Sequence, residues 1–553
     1  MKVALLSNVT VDHLSRDLEK LGHQTYVSLG YNAWALDVLN TESALYAFKP
    51  QVVFVLLHGS QLVGDVDGQE AWRPLQDAVN AIQYLVAHMP EATIFVSTLD
   101  FPPQHIRPVI DPLYEKRWEM MWLADVEAMI AQAKNMYVFD VKSLVEEQGR
   151  KQFYSSKMWY FGGMPYSSHG LRAISQEMVN LLAAVQGKRL KAVALDLDNT
   201  LWGGVIGEDG LTGILLSPTQ EGARYADLQK RLVELKQTGA ILLLLSKNNP
   251  EDALEAIDTH PDMVLRQEHL AGMRINWLAK PDNLAEMITE LNIGLDAVAF
   301  LDDNPVEREQ MRVRLPDVQV LEFPSDTATL AELMMNVYRR QFLVLRLTEE
   351  DQMKTEMYQA EHTRREVKAQ AASVEDYLLG LDIEIDVRTP GDAELERVAQ
   401  MTQKTNQFNL TTRRYTVGDI RERMNSPLWR LFVVRSRDKY GEDGVTLLFM
   451  ARRDGDVATI DTLLLSCRVM GRLIEQTACE VILQELFAWG CTEIRGEFLP
   501  TRKNSMAKDF YSDLGFNIVE QDDAGTTYVL NPGEAVRWPR VHKRVSLDGT
   551  EVW

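Results

Sequence analysis

Residues 193–204 place two carboxylates, Asp196 and Asp198, at the end of a short apolar run. Such a run, bounded by a turn signal, predicts a buried strand of a parallel sheet, and ligands of these sheets bind beyond the carboxyl ends of the strands. Because side chains alternate along a strand, both carboxylates lie on the same side of the chain. One can attack phosphorus while the other moves a proton, which predicts a phosphoryl-transfer site. The alternative is a strand that ends in a capping Asp-Asn turn.

Three later segments favour phosphoryl transfer. The apolar run 241–245 ends in Ser246, whose hydroxyl can hold a phosphate oxygen. Lys280 offers a compact cation for phosphate charge. A further strand ends at Asp302 and Asp303, whose hard oxygens suit Mg²⁺. Together with the first pair, these residues predict a magnesium-dependent site.

In this order the four segments resemble the motifs of the haloacid dehalogenase (HAD) superfamily. The resemblance implies that Asp196 is the nucleophile and Asp198 the acid/base. It implies a Mg²⁺ site formed by Asp196, Asp198, Asp302 and Asp303, with the main-chain carbonyl of Asp198 as one ligand. The phosphate ligands that it implies are Thr200, Ser246, Lys247, Asn248 and Lys280.

The amino-acid sequences of these motifs are similar to those of one branch of the superfamily, the FkbH-like proteins. The similar segments are 202–210 (WGGVIGEDG), 246–249 (SKNN), 302–309 (DDNPVERE), 405–415 (TNQFNLTTRRY) and 465–472 (LSCRVMGR), so the resemblance spans roughly residues 190–530. It implies an enzyme that dephosphorylates 1,3-bisphosphoglycerate and transfers the glyceryl unit to the phosphopantetheine thiol of an acyl carrier protein in polyketide-type biosynthesis.

Length and charge agree with a large enzyme that binds neither nucleic acid nor membrane. At 553 residues and 46% hydrophobic composition, the chain can fill several domain cores. The formal net charge of −22 argues against sequence-independent DNA binding. No apolar stretch is long enough to span a bilayer, and residues 1–6 are typical of a strand rather than a signal peptide. The three cysteines lack metal-site or disulfide spacing, so we expect reduced thiols and a cytoplasmic protein.

The pattern of elements predicts an α/β multidomain fold. Strands alternate with helices in residues 1–187, which favours a parallel sheet. The HAD-like block, a Rossmann-like parallel sheet, covers 190–345, and a charged helical linker covers 346–372. Residues 373–535 combine an antiparallel hairpin around 440–444 with a third strand and a helix, as in a mixed sheet. Residues 536–553 are interpreted as a C-terminal tail.

The first block resembles the SGNH-hydrolase-like α/β sandwich found at the amino terminus of longer FkbH-like proteins, with Ser7 and His169 in the catalytic positions. A triad also needs a carboxylate that orients the histidine. Tyr166 stands where that carboxylate is expected, and Leu5 and Leu6 replace a glycine-aspartate pair. We therefore expect a docking or scaffold role, with Ser7 at a strand end and His169 at a helix cap.

Residues 373–535 resemble the GNAT acyltransferase fold. The strand-to-helix turn at 468–472 favours a pyrophosphate, because backbone amides converge at a helix N-terminus. Leu473 departs from the pattern, since the acyl-CoA loop usually has glycine or alanine there, so a structural lobe without a ligand is an alternative. A phosphopantetheine arm is the other expected occupant. The residues implied to bind the acyl-pantetheine group are Arg468, Gly471, Arg472, Asn504 and Tyr511.

Members of the FkbH-like branch are associated with a cysteine intermediate, and some have a cysteine just before the Ser-Lys-Asn motif. Leu245 occupies that position here. Cys467 is the remaining candidate, because an adjacent helix N-terminus and Arg468 both lower a thiol pKa. A small buried apolar role for Cys467 is equally open.

Two other functions remain possible. A HAD phosphatase acting on a sugar phosphate or phosphoprotein would use the same aspartates. A non-enzymatic scaffold with decayed flanking domains is disfavoured by the intact aspartates at 196, 198, 302 and 303. The short stretch between Thr200 and Arg224 leaves no room for a large cap, and an open site favours a protein substrate.

Overall fold

The computed structural model describes residues 1–553 except 29, 64–71, 103–113, 292, 348–356, 358–359, 361–362, 365–366, 369–370 and 523, and except the side chains of 114, 115 and 467. The chain forms two compact units, Met1–Gln186 and Gly187–Trp553. The predicted linker at 346–372 falls largely outside the described residues.

A five-stranded parallel sheet, in the order β2-β1-β3-β4-β5, forms the core of the first unit. The all-apolar strand at 52–56 is buried on both faces, as expected where helices cover a parallel sheet on each side. The strands are β1 Lys2–Ser7, β2 Gln24–Val27, β3 Val52–Leu56, β4 Thr93–Ser97 and β5 Met136–Phe139. The helices are α1 Asp12–Lys20, α2 Trp34–Leu39, α3 Ala44–Phe48, α4 Gly59–Val63, α5 Trp72–His88, α6 Tyr114–Gln132, α7 Val141–Gln148, α8 Arg150–Phe153, α9 Ser156–Gly162 and α10 Ser168–Val185.

The second unit begins with another five-stranded parallel sheet, in the order β10-β9-β6-β7-β8. Successive strands extend from β6 first to one side and then to the other, and ligands bind at the point where this order reverses. The strands are β6 Ala192–Leu195, β7 Ile241–Ser246, β8 Leu270–Ile275, β9 Val298–Leu301 and β10 Gln319–Val320. The helices are α11 Ile206–Asp209, α12 Gln220–Gln237, α13 Pro250–Thr259, α14 Lys280–Glu290, α15 Pro305–Arg314 and α16 Leu330–Val337.

Prolines start two of the helices that follow these strands. Pro250 opens α13 and Pro305 opens α15, where the missing N–H would lack an intrahelical partner in any case. The chain therefore turns sharply from each polar strand end into a helix, and the polar residues stay at the edge of the sheet.

A nine-stranded mixed sheet completes the second unit, in the order β16-β17-β15-β14-β13-β12-β11-β18-β19. Its strands are β11 Glu384–Arg388, β12 Trp429–Asp438, β13 Gly441–Asp454, β14 Val457–Leu465, β15 Glu493–Phe498, β16 Asn517–Gln521, β17 Thr526–Leu530, β18 Arg544–Leu547 and β19 Thr550–Glu551. The helices are α17 Val374–Gly380, α18 Leu395–Lys404, α19 Val417–Asn425, α20 Ile474–Ala488 and α21 Phe510–Asp513. Two parallel sheets and one mixed sheet confirm the predicted α/β multidomain fold class.

The interpretation of residues 536–553 as a tail is wrong. Strand β18 pairs in parallel with β11, and the side chains of Val541 and Val545 are buried in the core of the mixed sheet. Apart from two residue pairs with the short strand β19, β18 pairs with β11, which lies far upstream in the sequence.

Candidate functional site

Three carboxylates meet at one edge of the parallel sheet in the second unit. Asp196 follows β6, while Asp302 and Asp303 follow β9, and these two strands are adjacent and parallel. One oxygen of each carboxylate lies within 4.8 Å of the others. Asp196 and Asp302 are buried, whereas Asp303 is half-buried. The structure thus brings together three of the four residues predicted for the metal site.

Lys280 joins two of these carboxylates. It is the first residue of α14, and its Nζ lies 2.7 Å from Oδ1 of Asp196 and 2.6 Å from Oδ2 of Asp302. Burial raises the pKa of Asp196 to about 7, against the lowering effect of Lys280. Burial also raises the pKa of Asp303, helped by the neighbouring Asp302 charge. The site therefore concentrates negative charge around one buried cation.

The side chain of Asp198 stands apart from the three-carboxylate cluster. Its Oδ1 accepts hydrogen bonds from Nε1 of Trp202 and the main-chain N–H of Ile206, each at 3.0 Å, and its Oδ2 accepts one from Asn248 at 2.9 Å. These bonds tie Asp198 to the turn that carries α11. A contribution of Asp198 to a metal site through its main-chain carbonyl stays a prediction.

The predicted phosphate ligands differ in their contacts: Ser246 and Thr200 are buried and hydrogen-bonded, whereas Lys247 forms an ion pair. Oγ of Ser246 accepts a hydrogen bond from Asn248, and Oγ1 of Thr200 accepts one from the main-chain N–H of Asp303. Lys247 instead pairs with Glu307, with 2.5 Å between Nζ and Oε1. That ion pair was not apparent in the sequence.

The donor set fits Mg²⁺. Three carboxylates offer only hard oxygen ligands, the kind that Mg²⁺ prefers. Lys280 compensates only one of the three carboxylate charges, so the ionised cluster keeps negative charge that can bind a divalent cation. A magnesium ion held by Asp196, Asp302 and Asp303 would screen the carboxylates from each other and from an incoming phosphate.

The sequence did not reveal the role of Arg308, which stabilises the loop that carries Asp302 and Asp303. Its Nη1 donates to the main-chain carbonyls of Asp302 and Asp303, at 2.8 and 2.6 Å. The main-chain N–H of Asn304 donates to Oδ1 of Asp302. Only the position of Arg308 in the first turn of the helix that follows the aspartates hints at this role, and an exposed helix residue can have the same position.

In the mixed sheet, Arg472, which was predicted to bind an acyl-pantetheine group, forms ion pairs with aspartates of the protein. Arg472 is buried, and its Nη1 lies 2.8 Å from Asp443 and 3.4 Å from Asp438. Arg364 pairs with the same two aspartates. Arg468 donates to the carbonyl of Asp443. These buried ion pairs give Arg472 a structural role in this conformation, which does not favour the predicted contact with an acyl-pantetheine group.

The gap between strands β14 and β15 is filled by the chain itself. The two strands pair only at residues 457–459 and 493–495 and then separate. In the gap, the main-chain N–H of Leu410 donates to Leu463, and the N–H of Leu499 donates to Leu410. Arg413 bridges Asp461 and Glu497 across the same gap. A ligand between these strands would have to displace this segment.

Asn504 and Gly471 meet different surroundings in this region. The buried Asn504 donates to the carbonyls of Asn409 and Leu499 and accepts from Thr501, which are structural bonds. Gly471 has a positive φ of +79°, and a Cβ there would meet open space. Leu473 also takes a left-handed conformation, with φ of 57°, before α20 begins. Ligand binding at Gly471 stays a prediction, whereas Asn504 holds the loop after β15.

The core beside α20 contains polar groups that lack partners within the described part of the chain. The hydroxyl of Tyr511 and Oε2 of Glu475 are buried without a hydrogen bond. Burial raises the pKa of the Tyr511 hydroxyl well above its usual range and that of the Cys479 thiol as well. Tyr511 and Cys479 are thus held in their neutral forms, which does not favour a reactive thiolate at Cys479.

Glu475 is expected to make the fold less stable as the pH rises. Burial raises its pKa from 4.5 to about 7, so the folded state keeps a proton that the unfolded state releases above pH 4.5. The free energy of unfolding should fall by about 3 kcal/mol between these pH values. Glu475→Gln removes the titration, and denaturant unfolding should show a more stable variant at pH 8 but not at pH 4. An identical pH dependence in both proteins would contradict the assignment.

The first unit contains the two residues predicted from the SGNH resemblance. Oγ of Ser7, the last residue of β1, donates to the carbonyl of Leu56 at 2.6 Å. His169 lies in the first turn of α10; its main-chain N–H donates to Ser167, and its ring bonds with Gln148. These contacts place Ser7 at a strand end and His169 at a capped helix start. A docking or scaffold role for this unit stays a prediction.

Among the described residues, every helix is too short or too polar to cross a membrane.

Family models and curated proteins give no match. Among solved structures, the chain is similar to the N-terminal part of protein BF1531 from Bacteroides fragilis, which contains a phosphatase domain and was crystallised with Mg. The two are 25% identical, the match covers 62% of this chain and 94% of that one, and the TM-score is 0.56.

Acetyltransferase structures match a smaller part of the chain. The ribosomal-protein-S18-alanine N-acetyltransferase from Escherichia coli is 12% identical, with 28% of this chain and 97% of that one covered and a TM-score of 0.22. The PaiA N-acetyltransferase from Thermoplasma acidophilum, in complex with coenzyme A, is 15% identical, with 27% and 98% covered and a TM-score of 0.20.

Proposed function

We propose that the second unit catalyses magnesium-dependent phosphoryl transfer, with Asp196 as the nucleophile. The observation that carries the proposal is the cluster of Asp196, Asp302, Asp303 and Lys280. It lies at the carboxyl ends of β6 and β9, where the strand order of the parallel sheet reverses. The similarity to a Mg-bound structure with a phosphatase domain supports it. Buried acidic groups with raised pKa values beside a cation are typical of catalytic sites.

Each side chain has a distinct part in the proposed reaction. Lys280 holds Oδ1 of Asp196, which leaves Oδ2 to attack phosphorus and form an aspartyl phosphate. Ser246 accepts a bond from Asn248 and so directs its own hydrogen towards a phosphate oxygen. Asp198 is the proposed acid for the leaving oxygen, and to act it must exchange one of its three present hydrogen bonds. Bound Mg²⁺ would neutralise charge on the transferred phosphoryl group.

We propose further that the substrate is 1,3-bisphosphoglycerate and that the glyceryl unit passes to an acyl carrier protein. The FkbH-like motifs support this finer assignment. Between β6 and α12 the described chain holds only the short helix α11 and two isolated bridges, Asp198–Trp202 and Gly203–Leu215, so a protein substrate can approach. Trp277 and Leu278, just before Lys280, are 70% and 64% exposed and offer apolar contacts at the entrance.

The experiment that tests the glyceryl-transfer proposal is intact-protein mass spectrometry of a phosphopantetheinylated carrier protein. The carrier is incubated with the enzyme, Mg²⁺ and enzymatically generated 1,3-bisphosphoglycerate. A glyceryl mass increment that disappears with Asp196→Asn is the expected result. Phosphate release without any increment on the carrier would contradict carrier loading.

Cys467, whose side chain lies outside the described residues, is the proposed site of a covalent glyceryl intermediate. Its thiolate attacks the acyl carbon of the acyl phosphate, and inorganic phosphate leaves. The carrier thiol then takes the glyceryl group and releases the cysteine thiolate. The main chain of Cys467 opens the short 3-10 helix Cys467–Val469, between β14 and α20, and the adjacent Arg468 would favour a thiolate.

Cys467→Ala should reduce carrier loading by at least about tenfold, as expected for loss of a nucleophile. Cys479→Ala, which changes a buried thiol, is the matched control. Unchanged loading by Cys467→Ala would remove this residue from the mechanism.

A phosphatase acting on another phosphorylated metabolite or phosphoprotein is the second candidate function. The phosphatase domain in the similar structure from Bacteroides fragilis favours it. The same aspartates would serve, and the mixed sheet would contribute specificity rather than acyl transfer. Release of phosphate from such a substrate at equal rates with and without carrier protein would support this candidate.

A further inference from the structure

The ion pair between Lys247 and Glu307 crosses the candidate site. Lys247 directly follows β7, and Glu307 lies in the first turn of α15, after β9. Strands β7 and β9 flank β6 on its two sides. A contact between residues that follow the two flanking strands must therefore pass over the carboxyl end of β6, where Asp196 and Asp198 lie.

Glu307 retains an unused acceptor at this position. The residue is only 7% exposed, and its Oε1 receives the Lys247 ammonium. Its Oε2 is buried and has no hydrogen-bond partner within the described chain. A buried acceptor without a donor is destabilising, so this oxygen requires a donor other than the described protein atoms. By contrast, both oxygens of Asp198 accept bonds from the protein.

We infer that Glu307 and Lys247 form a specificity subsite for a phosphorylated hydroxy acid. Oε2 of Glu307 accepts a hydrogen bond from a substrate hydroxyl adjacent to the carbon that bears the phosphate. Lys247, one-third exposed, faces the carboxylate or acyl phosphate at the far end of the substrate. This inference rests on the proposed phosphoryl transfer and deepens it, because it names groups of the substrate that are recognised away from phosphorus.

The charges at the subsite favour a hydroxyl over other donors and acceptors. Nζ of Lys247 already lies 2.5 Å from Oε1 of Glu307, so a substrate ammonium at Oε2 would be repelled by this neighbouring cation. A substrate carboxylate or phosphate at Oε2 would meet like charge. A hydroxyl group satisfies the acceptor without either penalty, and a site built to bind a hydroxyl discriminates strongly against an analogue that lacks it.

The test compares two phosphate esters that differ in one group. We would measure phosphate release, as kcat/KM, from 3-phosphoglycerate and from its analogue without the C2 hydroxyl, 3-phosphooxypropionate. The wild-type protein should prefer the hydroxylated ester by at least about tenfold. Glu307→Leu should remove most of this preference, and Glu307→Gln should reduce it by a smaller factor, because a neutral amide is a weaker partner than a carboxylate.

Glu309→Gln is the matched control, since Glu309 lies on the same helix, is largely exposed and pairs with Arg312. It should keep the wild-type preference. The subsite is overturned if the wild type turns over both esters equally, fails to turn over the hydroxylated ester, or keeps its preference in Glu307→Leu. If Glu307→Leu does not fold, an undiminished preference in Glu307→Gln overturns it.

A generic substrate separates failure of the subsite from failure of the proposed function. Hydrolysis of p-nitrophenyl phosphate by the wild type, lost in Asp196→Asn, would show that phosphoryl transfer operates even if the subsite is wrong. Absence of that hydrolysis together with inactivity on both esters would contradict the proposed function itself.

Discussion

Asp196→Asn is expected to abolish phosphoryl transfer while the fold remains intact. The amide cannot form the aspartyl phosphate, and loss of an enzymatic nucleophile costs at least about a thousandfold in rate. Since burial raises the pKa of Asp196, replacing the carboxylate by a neutral isostere removes a charge that burial disfavours. The midpoint of thermal unfolding at pH 8 should therefore be equal to or higher than that of the wild type.

The measurement is phosphate release with Mg²⁺ present, together with thermal unfolding of both proteins. Asp227→Asn makes the same chemical change at an exposed position of α12, where Asp227 pairs with Lys230, and should leave both quantities unchanged. Retention of more than a few per cent of the activity by Asp196→Asn would rule out Asp196 as the nucleophile.

Lys280→Met should lower both activity and stability. The ammonium lies within 2.7 Å of two buried carboxylates, and its removal leaves like charges facing each other. Removing one partner of a buried ion pair typically destabilises by about 3–5 kcal/mol. Loss of a preorganised cation at the phosphoryl group should lower kcat by about a hundredfold or more.

Magnesium distinguishes this electrostatic effect from a packing defect. Because the metal supplies positive charge to the same carboxylates, Mg²⁺ should raise the unfolding midpoint of Lys280→Met more than that of the wild type. Arg314→Met is the control. It removes a surface ion pair with Asp282, which lies on the same helix α14 as Lys280, and the unfolding midpoint of this variant should barely change. An equal Mg²⁺ effect in Lys280→Met and the wild type would show that Lys280 does not share the metal's role.

The central part of the site could be foreseen because it depends on local rules. Asp196, Asp302 and Asp303 each end an apolar strand, and parallel strands bring such ends to one edge of a sheet. Lys280 opens a helix after β8 and reaches the same edge. Strand ends were therefore enough to predict that the three aspartates would lie close together, whereas Lys280 was grouped with them through the resemblance to the HAD motifs.

The remaining features depend on partners that are distant in the sequence. Lys247 pairs with Glu307 and Arg364 with Asp438, contacts that no spacing rule specifies. The insertion of Leu410 between β14 and β15 follows from tertiary packing. The tail interpretation failed for the same reason, since β18 enters the mixed sheet by pairing with β11, which is distant in the sequence.

The pairing of β11 with β18 also bears on how the protein is made. Ser546 of β18 contacts Ile385 of β11, 161 positions earlier in the chain. While the ribosome synthesises the intervening residues, the outer edge of β11 has no strand to cover it. Open strand edges of this kind recruit other chains, so a nascent polypeptide is most prone to aggregate before β18 emerges. Slow translation of the mixed sheet would lengthen that exposure, and chaperones that cover strand edges would shorten it.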